Sequence, residues 1–231
     1  MHLIISGATG QVGAGLLRAC LASPRVTRVS ILSRRIFEVP SGPGLDVSKA
    51  RVIVHTDYLN YPPAVLEQLK DATGAIWALG ISQSKVSKEE YVVITHDYPM
   101  AAATAFANLN DKPFKFVHVS GEGADQNGRG YAYFSNIKGR TEVELMALPQ
   151  SSESELASLR IYNDLLRSAF SITHAPEASH TSLFIHTDQL GEVMVDLALS
   201  DGEPLPKGPG IENDGRLMRN SAVRAWKVKA D

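Results

Sequence analysis

Cysteine is nearly missing from this sequence: Cys20 is the single one among 231 residues, so no intramolecular disulfide is possible and a reducing compartment is expected. Its neighbours in "GLLRACLAS" are apolar and helical in pattern, which marks a packed thiol rather than a reactive one. An excess of charge is missing too. Lys and Arg number 23 against 25 Asp and Glu, a net charge of -2, which gives neither nucleic acid nor an anionic membrane an electrostatic hold. Long apolar runs are likewise lacking. The opening "MHLIISGATG" turns to glycine and threonine too soon for a signal core or a membrane span, so the expected protein is soluble and cytoplasmic. Its expected partner is a small-molecule substrate, with no nucleic acid and no membrane span. His174, His180 and His186 recur every six residues without a compact ligand spacing such as HxxxH, and no metal site is expected. Ser120, His186 and Asp188 make a weak hydrolase set without a GxSxG elbow.

What is present is a 44% hydrophobic chain of a length that suits one large α/β domain, residues 1–231. Short β-branched runs alternate with helical patterns, the arrangement of a parallel sheet with crossover helices. The strands expected are "HLIIS", "RVSILS", "RVIVH", "GAIWAL" and "FKFVHVS"; the helices expected are 11–22, 62–71, 87–109 and 135–148. Uninterrupted apolar strands imply a sheet covered on both faces, hence a doubly wound, Rossmann-like fold. Residues 160–231 read as a reduced substrate-side and C-terminal region. "SLRIYN" is a sixth strand, 187 onward a helix capped by Thr187, and "RLMRNSAVRAWKVK" a short strand followed by a basic helix.

"LIISGATGQVGAGLL" sets Gly7, Gly10 and Gly13 in a GxxGxxG pattern between strand and helix. Small residues there let the backbone turn sharply and bring a pyrophosphate against the N–H groups of the helix start. The same triplet also serves tight strand–helix packing. The second strand ends "SILSRR", where a NAD site offers an acidic residue to the ribose; Arg34 and Arg35 suit a 2′-phosphate instead, and NADP(H) is the expected cofactor. Two solvated arginines at a strand end are the alternative.

"GATGQVG", "LSRR", Asp57-Tyr58, "ALG" at 78–80, "THDYPMAAATAFAN", "VSGEGAD" and "KGRTEVEL" together resemble the atypical short-chain dehydrogenases/reductases of the Tat-interacting-protein type, in particular the fungal members. The resemblance covers residues 3–148 and resumes at "TDQLGEVMVDLAL". It implies a cofactor held by Gly7, Thr9, Gly10, Gln11, Val12 and Gly13, by Arg34 and Arg35, by Asp57 and Tyr58 near the adenine, by Ala78, Leu79 and Gly80, and by Lys138. It implies that Ser120 and Lys138 face the nicotinamide, and by analogy the two long helices would suit a homodimer bundle. Read without the family, Asp57 caps the next turn, Ser120 opens a loop and Lys138 is a surface lysine.

The family places a proton-donating tyrosine four residues before the lysine, and here that residue is Phe134. Residues four apart on a helix lie within about 40° of one another, whereas Tyr133 and Lys138, five apart, diverge by about 140°. A π-bulge, or a helix beginning only after Tyr133, would restore Tyr133 to the site. The family's Arg-Pro-Gly turn is also altered: Arg160 is kept, but Ile161 and Tyr162 follow it, and Tyr162 is a second candidate for the missing hydroxyl. Phe134, Arg160 and Tyr162 are thus the candidate substrate pocket, and Glu122 and Asp125 the nearest loop carboxylates. The expected activity is an NADP(H)-dependent oxidoreductase acting on a small carbonyl or hydroxyl compound. The alternatives are an isomerase or cyclase of a specialised metabolite on the same scaffold, and an NADPH-sensing binding protein.

Overall fold

The computed structural model describes residues 1–109, 114–148, 158–162 and 185–227. Strands β1 (His2–Ser6), β2 (Arg28–Ser33), β3 (Ala50–Val54), β4 (Gly74–Trp77), β5 (Lys115–Val119), β6 (Ser158–Tyr162), β7 (Ile211–Glu212) and β8 (Leu217–Met218) form one sheet in the order β3-β2-β1-β4-β5-β6-β8-β7. Every pairing is parallel except β7 with β8, and the order reverses direction beside β1, as in doubly wound folds. The register sets Ser6 beside Trp77 and Trp77 beside His118, so the carboxyl ends of β1, β4 and β5 finish level.

The α-helices of the described chain are α1 (Gln11–Ala22), α2 (Pro63–Leu69), α3 (Lys88–Val92), α4 (Tyr98–Ala107), α5 (Tyr133–Met146), α6 (Thr187–Ala198) and α7 (Asn220–Ala225). Alternate strand residues point to opposite faces, which divides the core in two. Leu3, Ile5, Ile31, Ile76 and Val117 pack under α1 and α6, while Ile4, Leu32, Trp77 and Phe116 pack under α4 and α5. Helices α1 and α6 touch backbone to backbone: a Cβ on Gly191 would stand 2.7 Å from the Gly15 carbonyl oxygen.

Several expectations change in the structure. The 87–109 helix is interrupted by a π-helical segment, Val93–Asp97, between α3 and α4. His96 sits in that segment and places its ring between two carboxylates, Nδ1 at 2.7 Å from Asp97 and Nε2 at 2.9 Å from Glu144 of α5. Strand β3 lies at the sheet edge with Arg51 and Val54 exposed, so it is not covered on both faces as its apolar run suggested. The cap of α6 is His186, with no side-chain hydrogen bond to the helix start, and Thr187 is the first helical residue rather than the cap.

Candidate active site

The loop from β1 into α1 has one conformational requirement that glycine alone meets cheaply. Gly7 has φ +74°, and a Cβ there would stand 2.7 Å from the Leu79 nitrogen and closer still to the Ala78 carbonyl. The backbone of this loop therefore lies directly against the chain leaving β4. Helix α1 then opens on Gly10 with no side-chain cap and no acidic residue in its first turn, leaving its N–H end available to a negative group.

A cavity of about 460 Å³ lies over this helix start. Its walls are the loop Gly7 to Gly10, the end of β2 from Leu32 to Arg35, the segment Ala78 to Gly80, and Tyr58. No acidic residue contributes to those walls, whereas Arg34 and Arg35 both do. Ser33 fixes the turn that carries them, its hydroxyl donating to the Arg35 carbonyl at 2.8 Å. Tyr58 is a wall rather than an exposed stacking surface: it is 1% exposed, packs edge-on against Trp77, and burial pushes its phenol up to about 12 against the opposing charge of Arg34.

Asp57 lies outside this cavity and lines a neighbouring hollow of about 500 Å³ with His55, Asn60 and Tyr61. Its carboxylate accepts from the Leu59 N–H at 3.1 Å and from Asn60 Nδ2 at 2.9 Å, which hold it below the ordinary carboxylate range. It thus caps its own turn. Gln11, Val12 and Gly13 lie in the first turn of α1, and the cavity walls stop at Gly10.

The second cluster lies where β5 ends. Lys138 of α5 runs its side chain beside Gly121, the residue after Ser120, where an added Cβ would stand 3.0 Å from Lys138 Cδ and 3.5 Å from Nζ. Ser120 is buried, and its hydroxyl donates to Glu142 Oε1 at 2.7 Å. Glu142 is wholly buried on α5, four residues beyond Lys138, and Gln126 Nε2 donates to its other oxygen at 2.7 Å. Asn213 in turn donates to Gln126 Oε1 at 3.1 Å. Burial raises the Glu142 carboxyl above its usual range, with Ser120, Gln126, Arg219 and Lys138 pulling the other way.

Glu142 is the residue the sequence reading missed. Its signal was the Phe134–Lys138–Glu142 spacing of four and four, which puts all three on one face of α5. Of the loop carboxylates, Asp125 accepts from the Asn127 and Arg129 N–H groups and so caps the loop after β5, and Glu122 is exposed.

The route that would have restored Tyr133 is absent. Helix α5 starts at Tyr133 and runs as regular α-helix through Lys138, so no bulge rotates the tyrosine onto the lysine face. Its ring lies 5.5 Å from Lys88 Nζ and its hydroxyl donates to the Lys88 carbonyl at 3.4 Å, towards α3. Phe134 is half-buried at the position four before Lys138, with its N–H donating to Gln83 Oε1 at 3.2 Å. Arg160 and Tyr162 are described by strand position alone: Arg160 pairs with Val117, and Tyr162 with Val119 one residue before Ser120. His174 and His180 lie outside the described residues. Asp188 is taken by Arg18, whose Nε stands 3.0 Å away. Among the described residues no group of three or more His, Cys, Asp or Glu side chains is arranged to hold a metal ion, and no helix is long and apolar enough to cross a membrane.

No family model matches the sequence. The chain is 31% identical to the leucinostatins biosynthesis cluster protein T of Purpureocillium lilacinum over 266 aligned positions, which cover 98% of this chain and 95% of that protein. It is 30% identical to the mitochondrial protein fmp52 of Emericella nidulans across 64% of this chain and 61% of the relative, so it matches less than two thirds of that protein. The FMP52 relatives from Debaryomyces hansenii and Scheffersomyces stipitis are also named mitochondrial, and these names overturn the expected cytoplasmic location. Among solved structures, a short-chain type dehydrogenase/reductase from Mycobacterium ulcerans superposes with a TM-score of 0.66 at 14% identity, covering 96% of this chain and 90% of that one. The PhqB reductase domain from Penicillium fellutanum superposes with a TM-score of 0.55 at 14% identity, covering 71% of this chain and 48% of that domain, about half its length. At these identities the likeness is one of fold.

Proposed function

We infer that this chain, which belongs to the atypical short-chain dehydrogenase/reductase family, is an NADP(H)-dependent oxidoreductase of a small carbonyl or hydroxyl compound. The observation that carries this reading is the cavity over the start of α1, walled by two arginines and no carboxylate. The residues fit the group. The cavity over the Gly7 to Gly10 loop and the uncapped N–H end of α1 suit a pyrophosphate, and the paired guanidinium donors of Arg34 and Arg35 suit a ribose 2′-phosphate. Ala78 to Gly80 would flank the cofactor on its way to the end of β5. Lys138 would hold the nicotinamide ribose, and Ser120 would meet the substrate oxygen. When bound, the reduced nicotinamide supplies a hydride. The chain's own residues bind it, orient the carbonyl and provide the proton.

The reading is tested by following NADPH absorbance with a panel of aldehydes, ketones and quinones. Turnover of at least one compound is expected, with kcat/KM falling about tenfold or more in Lys138→Ala, as befits loss of a charge-assisted contact. An absence of NADPH oxidation with every compound would contradict it. One observation favours a second reading, an isomerase or cyclase: Phe134 stands where the family places a phenol, and Tyr133 faces away. That enzyme would convert its substrate with no change in cofactor absorbance.

A further inference from the structure

The reductase reading leaves a proton unaccounted for, because the helix position that would carry a phenol carries the phenyl ring of Phe134. A reduced carbonyl needs one: its carbon takes the hydride with the two electrons it carries, and its oxygen must take a proton to leave as an alcohol. The described side chain in contact with Ser120 that can carry an acidic proton is Glu142, 2.7 Å from the Ser120 oxygen. It sits in full burial eight residues, about two helical turns, beyond Phe134 on the same face of α5.

We propose that Glu142 is the proton reserve of the active site, passing its proton through the Ser120 hydroxyl to the substrate oxygen and so standing in for the phenol absent at position 134. The proposal rests on the reductase reading. In it Glu142 is a neutral acid and the 2.7 Å contact with Ser120 reverses direction, the carboxyl O–H donating to the Ser120 oxygen, which frees the Ser120 hydroxyl to donate to the substrate. As the carbonyl is reduced, its oxygen takes the Ser120 proton and Ser120 takes the Glu142 proton; once the alcohol has left, a proton from solvent returns to the carboxylate through the Ser120 hydroxyl. Gln126, itself held by Asn213, keeps donating to the second carboxyl oxygen through the cycle and fixes the carboxyl plane.

The surroundings suit a group that holds a proton at rest and releases it under demand. The carboxyl has no solvent exposure, which disfavours its charged form and raises it above the ordinary carboxylate range. The positive charges bearing on it are Lys138, four residues back on α5, and Arg219, which precedes α7 and is bound to Glu212 at 2.9 Å. Both favour ionisation, and burial outweighs them. His118 on β5 adds no charge above pH of about 4, since burial lowers its ring to about 3.

The test combines infrared spectroscopy with kinetics. The protonated carboxyl stretch should be present in the wild type at neutral pH and missing from Glu142→Gln, whose amide still donates to Ser120 and accepts from Gln126 but holds no acidic proton. With NADPH affinity unchanged to within about twofold, Glu142→Gln should lower kcat about a hundredfold or more, the usual worth of a general acid. The wild-type decline of kcat with rising pH should vanish in that variant. The double variant Glu142→Gln with Phe134→Tyr should recover turnover, because a phenol four residues before Lys138 replaces the reserve; a merely structural role for Glu142 would give no such rescue. An ionised Glu142 at neutral pH, or turnover that survives Glu142→Gln, overturns the relay alone. NADPH binding without reduction of any carbonyl overturns the reductase reading and the relay with it. Should Glu142→Gln fail to fold, the wild-type infrared titration decides by itself.

Discussion

His118 stands in β5 with 3% of its surface exposed, and among the described residues neither ring nitrogen meets a hydrogen-bond partner. Burial, then the charge of Lys138, lowers its pKa from 6.5 to about 3. The fold therefore holds a neutral ring while the unfolded chain takes up a proton near 6.5, so this stability is present above that pH and lost as pH falls towards about 3. His2 is lowered the same way to about 4. We predict that His118→Phe flattens the fall of Tm between pH of about 7 and about 4, read by differential scanning calorimetry. Glu142 has the opposite sign: its raised carboxyl contributes stability at low pH that is lost as pH rises through the folded value, and Glu142→Gln removes that loss. Legibility at this scale followed locality. Gly7, Arg34 and Arg35 lie within one strand–helix–strand unit, from β1 to the turn after β2, and the spacing of the letters displays them. Glu142 depends on a contact with a serine 22 residues away and on complete burial, which nothing in its immediate neighbours encodes.

Elements were most legible where a period ran without interruption. Strands β1 and β2 begin and end where the apolar runs do, and α1 spans the residues its pattern marks. The π-helical segment escaped notice because "VITHD" holds no glycine or proline that would mark a break in the helix. Within it the His96 ring is held between Asp97, its neighbour in the chain, and Glu144 of α5, a contact 48 residues away. The start of α5 mattered most. Residues 131–133 hold no strong breaker, and only the observed cap at Ala132 decides that Tyr133 is inside the helix and faces Lys88. The α1–α6 contact supplies a prediction of its own. Gly191→Ala would drive a Cβ to 2.7 Å from the Gly15 carbonyl oxygen, and since backbone cannot rotate aside, a loss of about 1–3 kcal/mol is expected in urea unfolding.

For the whole molecule, the doubly wound order was readable because alternating strands and helices with short connections permit few other arrangements. How the C-terminal part joins the sheet was not, since two-residue strands carry almost no period. Asp196 on α6 makes one such join: it is buried, accepts from Arg25 Nη1 at 2.9 Å and from Trp226 Nε1 at 2.9 Å, and so ties the turn after α1 and the residue after α7 to one carboxylate. Asp196→Ala should cost about 2–3 kcal/mol, moderated because Arg25 is partly solvated, and should speed hydrogen exchange in α7. The most direct test of the central claim is a calorimetric titration of nucleotide-free protein with NADPH and NADH in parallel, repeated on Arg34→Ala and Arg35→Ala. The account predicts NADPH binding that is tighter than NADH binding by roughly tenfold or more and that weakens by about 1.5–3 kcal/mol in the arginine variants, with NADH affinity little changed. Equal affinities, NADPH binding indifferent to both arginines, or no binding of either nucleotide would contradict it.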